Sequence, residues 1–503
     1  MRNCISLVVV ILATMHGAAL CAADTTVYTW GYSGWGQLGN GSLGSGTGSN
    51  NFIRVPTAIA RTATTVVAGS DNCYAITAAG SLYAWGKNLA GQVGNGTITP
   101  QASPVAISSP AGKWISLSCK ATRPVGIMQP TGSPPANLYM WGLVRQKSFY
   151  VDSVTVTSAG TGYKVDDPVT FSGNGSGASA KVASIVDDAP IDGYGSIASI
   201  TVTAGGSYTA APTVQFPANR AAVVDLVDPA LSYPARNGAT GTAVMADSGE
   251  SFSEAEFSQS VPTPIPFNTG IADLSEYVVV GGTSHGMLLN VNSSSADYGK
   301  LFSFGYNGYG QSGLGHRDFV KATGTIPMPP GGVWKAVSCG LHFTVGISTL
   351  GNLYTWGMND HHGQLGQSTV NTNLGNAAAD PVTLSPKQIM PGFVWASVAC
   401  GYDHTLALTA TGDLYAWGSN FSGELGINSN VCASTPTFVS SGWTSIACGD
   451  RVSFGFKGAQ AYSWGNNSMG QLGNNSDTSE KAPKVFTFSG TSISAGGAYA
   501  VGW

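Results

Sequence analysis

One short pattern, an apolar strand ending in an aromatic-glycine step, recurs seven times and constrains this chain more than any other feature. It reads VYTWG to Gly31, LYAWG to Gly86, LYMWG to Gly142, LFSFG to Gly305, LYTWG to Gly357, LYAWG to Gly418 and AYSWG to Gly465. Six of the seven continue into a glycine-rich turn, such as GYSGWGQLGN from Gly31, GKNLAGQVGN from Gly86 and GNNSMGQLGN from Gly465. A strand carrying proline follows, with Pro56, Pro104, Pro262, Pro436 and Pro483. Next come a third strand opened by an aromatic residue (KWISLSC, VWKAVSCG, VWASVACG, GWTSIACG) and a fourth (HFTVGI, HTLAL). Four short alternating strands per unit, at spacings of 47 to 61 residues, predict the blades of a propeller.

The recurring tryptophans, Trp30, Trp85, Trp141, Trp356, Trp417 and Trp464, are expected to fill the wedges between neighbouring blades. The glycine after each permits a turn that a Cβ would obstruct. Seven third strands are counted, the last at the C-terminus, whereas VYTWG opens the chain. The fold expected is therefore all-β: a seven-bladed β-propeller closed by an N-terminal strand joining the C-terminal blade, which removes open sheet edges. The motifs WGxNxxGQLG, CGxxHTxAL and GxLYxWG resemble the regulator of chromosome condensation repeat over about residues 24–144 and 260–503. That resemblance implies a seven-bladed propeller. It leaves the function open among exchange factors, scaffolds, receptors and secreted inhibitors.

Composition agrees with a turn-rich β protein: 68 of 503 residues are glycine and only 10% are charged. A net charge of −4 and the lack of any Lys/Arg run make nucleic acid a poor partner. Residues 1–23 read as an export signal: Arg2, an apolar run Ile5–Ala13, and a small-residue cleavage site at Ala19-Leu20-Cys21 or Cys21-Ala22-Ala23. His16 and Gly17 interrupt the apolar run, which argues against an uncleaved anchor. No membrane span is expected after cleavage, and the location expected is secreted or extracytoplasmic, at a cell surface or on a virion. Cys119, Cys339, Cys400 and Cys448 recur in register and read as buried strand residues, leaving Cys73 and Cys432 as the disulfide candidates.

Trp141 to Phe304 spans 163 residues, so one blade carries an insertion of about 110 after its WG step. The division expected is residues 24–145 and 260–503 as propeller and 146–259 as an inserted β-module. The module holds two internal copies (151–186; 197–216 resuming at 237–248), and 249–260 is a return linker. It resembles short β-modules of phage-tail and cell-surface proteins, and a docking element standing out from one propeller face would have this character.

Gly282-Thr283-Ser284-His285-Gly286 matches GxSxG, but the elbow of hydrolases needs a following helix, and this segment aligns with a turn between propeller strands. His285, His342 and His404 align across three blades and are expected to bond backbone within their own blades. His361 and His362 occupy a rim loop one residue longer than its equivalents. Asp187, Asp188 and Asp192 are weak Ca²⁺ candidates with no EF-hand spacing; otherwise no metal, cofactor or catalytic set is expected. Tyr32, Trp35, Tyr306, Tyr309, His361, His362 and Phe421 are the candidate binding residues, because aromatic side chains on a ring of loops make good anchors. The functional expectation is an exported, non-enzymatic protein that binds a protein or surface glycan through its loop face and inserted module. A virion or tail-associated structural protein, a secreted enzyme inhibitor and a secreted hydrolase on a propeller scaffold are the alternatives.

Overall fold

The structure is a computed structural model. It describes residues 23–43, 52–120, 123–132, 135–146, 149–158, 168–172, 175–187, 195–208, 213–215, 223–224, 232–233, 240–247, 255–264, 273–318, 320–360, 362–368 and 382–503. The chain divides into two compact units, Met1–Val144 with Ser258–Trp503, and Arg145–Phe257. The first unit holds seven four-stranded antiparallel sheets, the blades of a propeller.

From inner to outer strand, blade 1 is Thr65–Ala68, Asn72–Ile76, Leu82–Gly86 and Gln101–Ile107. Blade 2 is Gly112–Lys120, Arg123–Pro130, Asn137–Gln146 and Ala255–Pro264. Blade 3 runs through Tyr277–Gly281, His285–Asn290, Leu301–Gly305 and Val320–Thr325. Blade 4 comprises Trp334–Cys339, Phe343–Ser348, Leu353–Met358 and Val382–Ile389. Blade 5 is Trp395–Cys400, His404–Thr409, Leu414–Gly418 and Ala433–Ser440, and blade 6 Ser445–Cys448, Val452–Lys457, Gln460–Gly465 and Glu480–Phe486. Blade 7 joins Ile493–Ala495 and Tyr499–Gly502 from the C-terminus to Thr25–Tyr32 and Phe52–Ala63 from the N-terminus. The repeat's prolines, Pro56, Pro104, Pro262, Pro436 and Pro483, fall on outer strands, where a missing N–H costs no ladder bond.

The inner strands touch in cyclic order around the axis. Cysteines stitch three of these contacts: the Cys339, Cys400 and Cys448 thiols donate to Val280 O, Ser338 O and Ala399 O of the preceding blade. Burial pushes the Cys339 thiol up to about 12 and the Cys400 thiol to about 11, so both stay protonated donors. Serine hydroxyls on the same strands accept the Gly281 and Cys400 amides across neighbouring boundaries. Cys73 and Cys432 are not bonded to each other. The Cys73 thiol lies in the core against Gln37 O and the Tyr499 hydroxyl, and Cys432 is half-buried in a different blade.

The return-linker reading of 249–260 is corrected over its second half, because Ala255–Pro264 is the outer strand of blade 2. Its VPTPI segment carries the alternation of the other proline-bearing strands, and that signal extends upstream through AEFSQS. The second unit is a closed six-stranded antiparallel barrel of Phe149–Ser158, Pro168–Ser172, Gly175–Asp187, Gly195–Tyr208, Thr213–Gln215 and Thr240–Asp247. Each of the two internal copies contributes a long, a short and a long strand. The interruption in the second copy carries a small ladder, Val223–Val224 with Ser232–Tyr233. Asp187 ends a barrel strand opposite Gly195, and Asp188 and Asp192 lie outside the described residues, as does the export-signal segment up to Ala22.

Candidate interaction face

In an antiparallel blade, the turn between the first two strands and the loop after the third open on the same face. The WGxNxxGQLG motif builds that loop. In blade 5 the Asn420 carboxamide accepts the Leu425 N–H and donates to Ser429 O and Val431 O, which clamps the turn to the outgoing chain. Asn88 and Asn467 act the same way on Val93 and Leu472. The Gln side chain accepts a second amide two residues back, as Gln92 does from Ala90 and Gln311 from Tyr309.

The Gln backbone carbonyl reaches across the blade boundary. Trp85, Trp141, Trp356, Trp417, Trp464 and Trp30 each donate Nε1–H, at 2.9 Å, to Gln37 O, Gln92 O, Gln311 O, Gln364 O, Glu424 O and Gln471 O of the preceding blade. All six indoles are fully buried. The last glycine of the motif lies flat on the same ring: a Cβ at Gly94, whose φ is +83°, would stand 2.7 Å from Trp141 Nε1. In four boundaries a second donor shares the acceptor, from Cys73, Thr344, Thr405 or Ser453. The motif is thus committed to holding its own loop and gripping the next blade, and the positions between motif residues are what each loop offers to solvent.

Those positions divide. Tyr32 and Tyr306 fold down over Gly34 and Gly308, where a Cβ would collide with the phenol. Trp35 stacks beneath the Lys87 ammonium (5.1 Å), which also pairs with Asp71 at 3.3 Å. Tyr309 stacks on His342, ring centres 4.8 Å apart, with Tyr306 against both. Phe421 is 57% exposed and, among the described rings, meets only that of His362, near-perpendicular at 5.3 Å. His361 lies outside the described residues. So the structure brings together His362 with Phe421, and Tyr306 with Tyr309. The Tyr32–Trp35 pair sits in a separate loop, on blade 7.

The histidine alignment is corrected. His285 and His404 pair with Gly305 and Gly418, but in blade 4 it is Phe343 that pairs with Gly357. The turns are equal in length, since Cys339 pairs with Thr344 as Cys400 does with Thr405 and Gly281 with Gly286, so Phe343 takes the histidine place and His342 falls one residue earlier, level with Ser284 and Asp403. Nor do the two buried histidines bond backbone of their own blades. His285 Nε2 meets the Thr344 hydroxyl at 2.9 Å and His404 Nε2 the Ser453 hydroxyl at 3.0 Å, both on the following blade. Each hydroxyl already donates to the loop carbonyl, so each histidine donates from Nε2. Burial pushes both imidazoles down to about 3. Ser284 stands in a tight turn between two strands, not on a strand-to-helix elbow, with its hydroxyl 3.5 Å from His342 Nδ1.

Sequence reasoning missed two features. The first is Lys120, which occupies the place held in the other blades by Gly69, Gly282, Gly340, Gly401, Gly449 and Gly496. It is therefore the one side chain at that ring position, and its ammonium donates to Cys339 O, Cys400 O and Gly401 O. With Asp450 it lines a cavity on the axis of about 70 Å³, room for roughly five waters. A lysine in a column of glycines was the available signal. The second is Asp360 and Asp403 beside His362. Asp360 raises the His362 imidazole above its ordinary value, chiefly through hydrogen bonding, whereas burial and then Asp360 push Asp403 up to about 6.

Geometry alone defines the class: a closed seven-bladed propeller whose blades are locked by an indole-to-loop bond repeated around the ring. The Regulator of chromosome condensation (RCC1) repeat matches residues 24–76, 79–120, 351–408, 411–455 and 459–503, and a second profile of the same repeat matches 63–92, 334–364 and 395–424. Together these cover just over half of the chain, which belongs to the RCC1 repeat family.

The chain is 28% identical over 162 residues to the Ultraviolet-B receptor UVR8 of Arabidopsis thaliana, 32% of this chain and 33% of that protein. It is 32% identical over 142 residues to the E3 ubiquitin-protein ligase HERC2 of Homo sapiens, 28% of this chain and 3% of that one. The matched segments thus span a third of the first relative and a small fraction of the second. Among solved structures, human WBSCR16 superposes with a TM-score of 0.60 at 16% identity, covering 95% of this chain and 99% of that one. Prp20p of Saccharomyces cerevisiae gives 0.60 at 15%, covering 98% and 93%. At these identities the likeness is one of fold.

Proposed function

We propose that this chain is an exported, non-enzymatic binding protein whose propeller loop face docks a protein partner, with the inserted barrel as a second adhesive element. The observation that carries the reading is the division of labour in the loops. Repeated residues hold the ring, and the residues between them differ from blade to blade and leave large apolar side chains in solvent. On this face Leu89 is 52% exposed, Phe421 57%, Tyr402 37% and Met469 37%. Apolar and aromatic anchors on a rigid ring bind with little ordering cost. Prp20p is described with its binding to Gsp1p and histones, and yeast RCC1 (Prp20) in complex with Kap60; all are proteins, which favours a protein over a surface glycan here. Among the described residues no helix is long and apolar enough to cross a membrane.

The test is capture of envelope and extracellular proteins by the full chain, by a rim variant (Leu89→Ser, Tyr402→Ser, Phe421→Ser, Met469→Ser) and by a chain lacking 147–254. Loss in the rim variant alone supports the loop face. Loss in the deletion alone moves docking to the inserted unit, and no capture by the intact chain overturns the binding role. Export is tested by N-terminal sequencing of secreted material, expected to begin at Ala22 or Asp24; a start at Met1 in the cytoplasmic fraction would defeat it.

A further inference from the structure

We infer that Asp360, His362 and Asp403 form a binding site for a divalent cation of the zinc type, bridging blades 4 and 5 on the loop face. One ligand atom from each lies within 4.8 Å of the other two. The site arises where one loop departs from the repeat. From Trp356 to Gly363 the loop is one residue longer than its equivalents, yet its clamp is kept, because the Asn359 carboxamide still accepts the Leu365 amide. The extra length is therefore absorbed at the rim, where Asp360 and His362 stand.

Both are held in place. Asp360 Oδ1 accepts the His362 backbone N–H at 2.8 Å and lies 3.1 Å from its Nδ1, and the two side chains are 15% and 14% exposed. Asp403 arrives from the next blade, on the turn before its second strand, and its carbonyl oxygen accepts the Ser419 amide at 2.8 Å. The neighbouring carboxylate, Glu424, is occupied by the Ser419 hydroxyl and the Ser422 amide, so it orders the loop and leaves the cluster to the other three. Phe421 sets its ring near-perpendicular to the imidazole, at 82°.

Two carboxylates beside one imidazole carry charge that a divalent cation neutralises. The nitrogen ligand and the small ligand count suit zinc better than calcium, which takes six to eight oxygens. Ligands at zinc distances stand about 3.4 Å apart in a tetrahedron, a spacing the Asp360–His362 pair, at 3.1 Å, already approaches. A fourth position remains for water or for a ligand from a partner. The site does not depend on the docking reading, since a cation binds with no partner present.

The experiment is calorimetric titration of the chelator-treated full chain with ZnCl₂. One equivalent is expected, with affinity falling about tenfold or more in His362→Gln and in Asp403→Asn. Co²⁺ in place of zinc is expected to give ligand-field bands without thiolate charge transfer. Absence of stoichiometric uptake, uptake unchanged in His362→Gln, or a thiolate band would each overturn the assignment. His362 is on the rim and its variant is expected to fold like the parent, so it decides the matter if Asp403→Asn does not fold.

Discussion

Six blade boundaries carry the indole-to-carbonyl bond and one does not, and the exception explains the rule. Between blades 2 and 3 the GQLG loop is absent, because the chain leaves the third strand of blade 2 into the insert. The tryptophan facing that boundary is replaced by Phe304, and the second donor at its paired position by Gly286. In four other blades that paired position holds Cys73, Thr344, Thr405 or Ser453, whereas in blade 7 it holds Ala500 and the tryptophan bonds alone. Both donors disappear together with their common acceptor. A buried N–H without a partner costs more than its bond contributes, so phenylalanine, which packs in the apolar cluster of Val125, Leu138, Tyr277 and Leu288, is the stable choice. The comparison separates two roles of tryptophan, filling the wedge and gripping the next loop, of which only the first survives at Phe304.

The largest effect expected is from Trp417→Ala, which removes both roles and should cost about 3–5 kcal/mol in denaturant unfolding. Reciprocal swaps sharpen the contrast. Trp356→Phe keeps the wedge but abandons the bond to Gln311 O, and Phe304→Trp adds a buried donor with no loop to receive it. Each should lose about 1–3 kcal/mol, and if Phe304→Trp stabilised the chain, the pairing of donor with loop would be wrong.

A smaller, pH-dependent effect is expected from His285→Phe, which copies the Phe343 arrangement of blade 4. His285 is held neutral down to about 3, against 6.5 for the free imidazole. The unfolded chain therefore takes up a proton that the folded chain refuses as pH falls below 6.5. The stability this histidine permits is whole above that pH and erodes toward pH 3, by about 1.4 kcal/mol per unit. His404 behaves alike. The variant should flatten the acid limb of stability measured by thermal melting, with little change at pH 7.5. Least of all, Phe421→Ser should shift stability by under about 0.5 kcal/mol while weakening partner capture.

The blade count, ring closure and position of the insert were legible because repetition supplied its own alignment: a signal weak in one copy is firm in seven. What repetition could not supply was the sense of departures from it. Lys120 reads as an ordinary substitution until the ring brings the other glycines around it. His342 aligns with His285 until strand pairing puts Phe343 in that place and His342 one residue earlier. The candidate aromatics were chosen by type and place, but sequence does not say which of them a neighbour covers, and Tyr32 and Tyr306 lie over glycines. Asp360 and Asp403 were illegible because they belong to different repeats and meet only across a boundary.

Blade 7 unites strands from both ends of the chain, and its Trp30 bonds to Gln471 across 441 residues. Local pairing can complete the other blades in order, but ring closure must wait until the final strands have emerged. Loop closure over such a span is slow relative to the hairpins that precede it. During synthesis the ring therefore passes through an open arc with two unsealed ends, and shortening the chain by the strand Tyr499–Gly502 would arrest it there, leaving unpaired strand edges available to other chains.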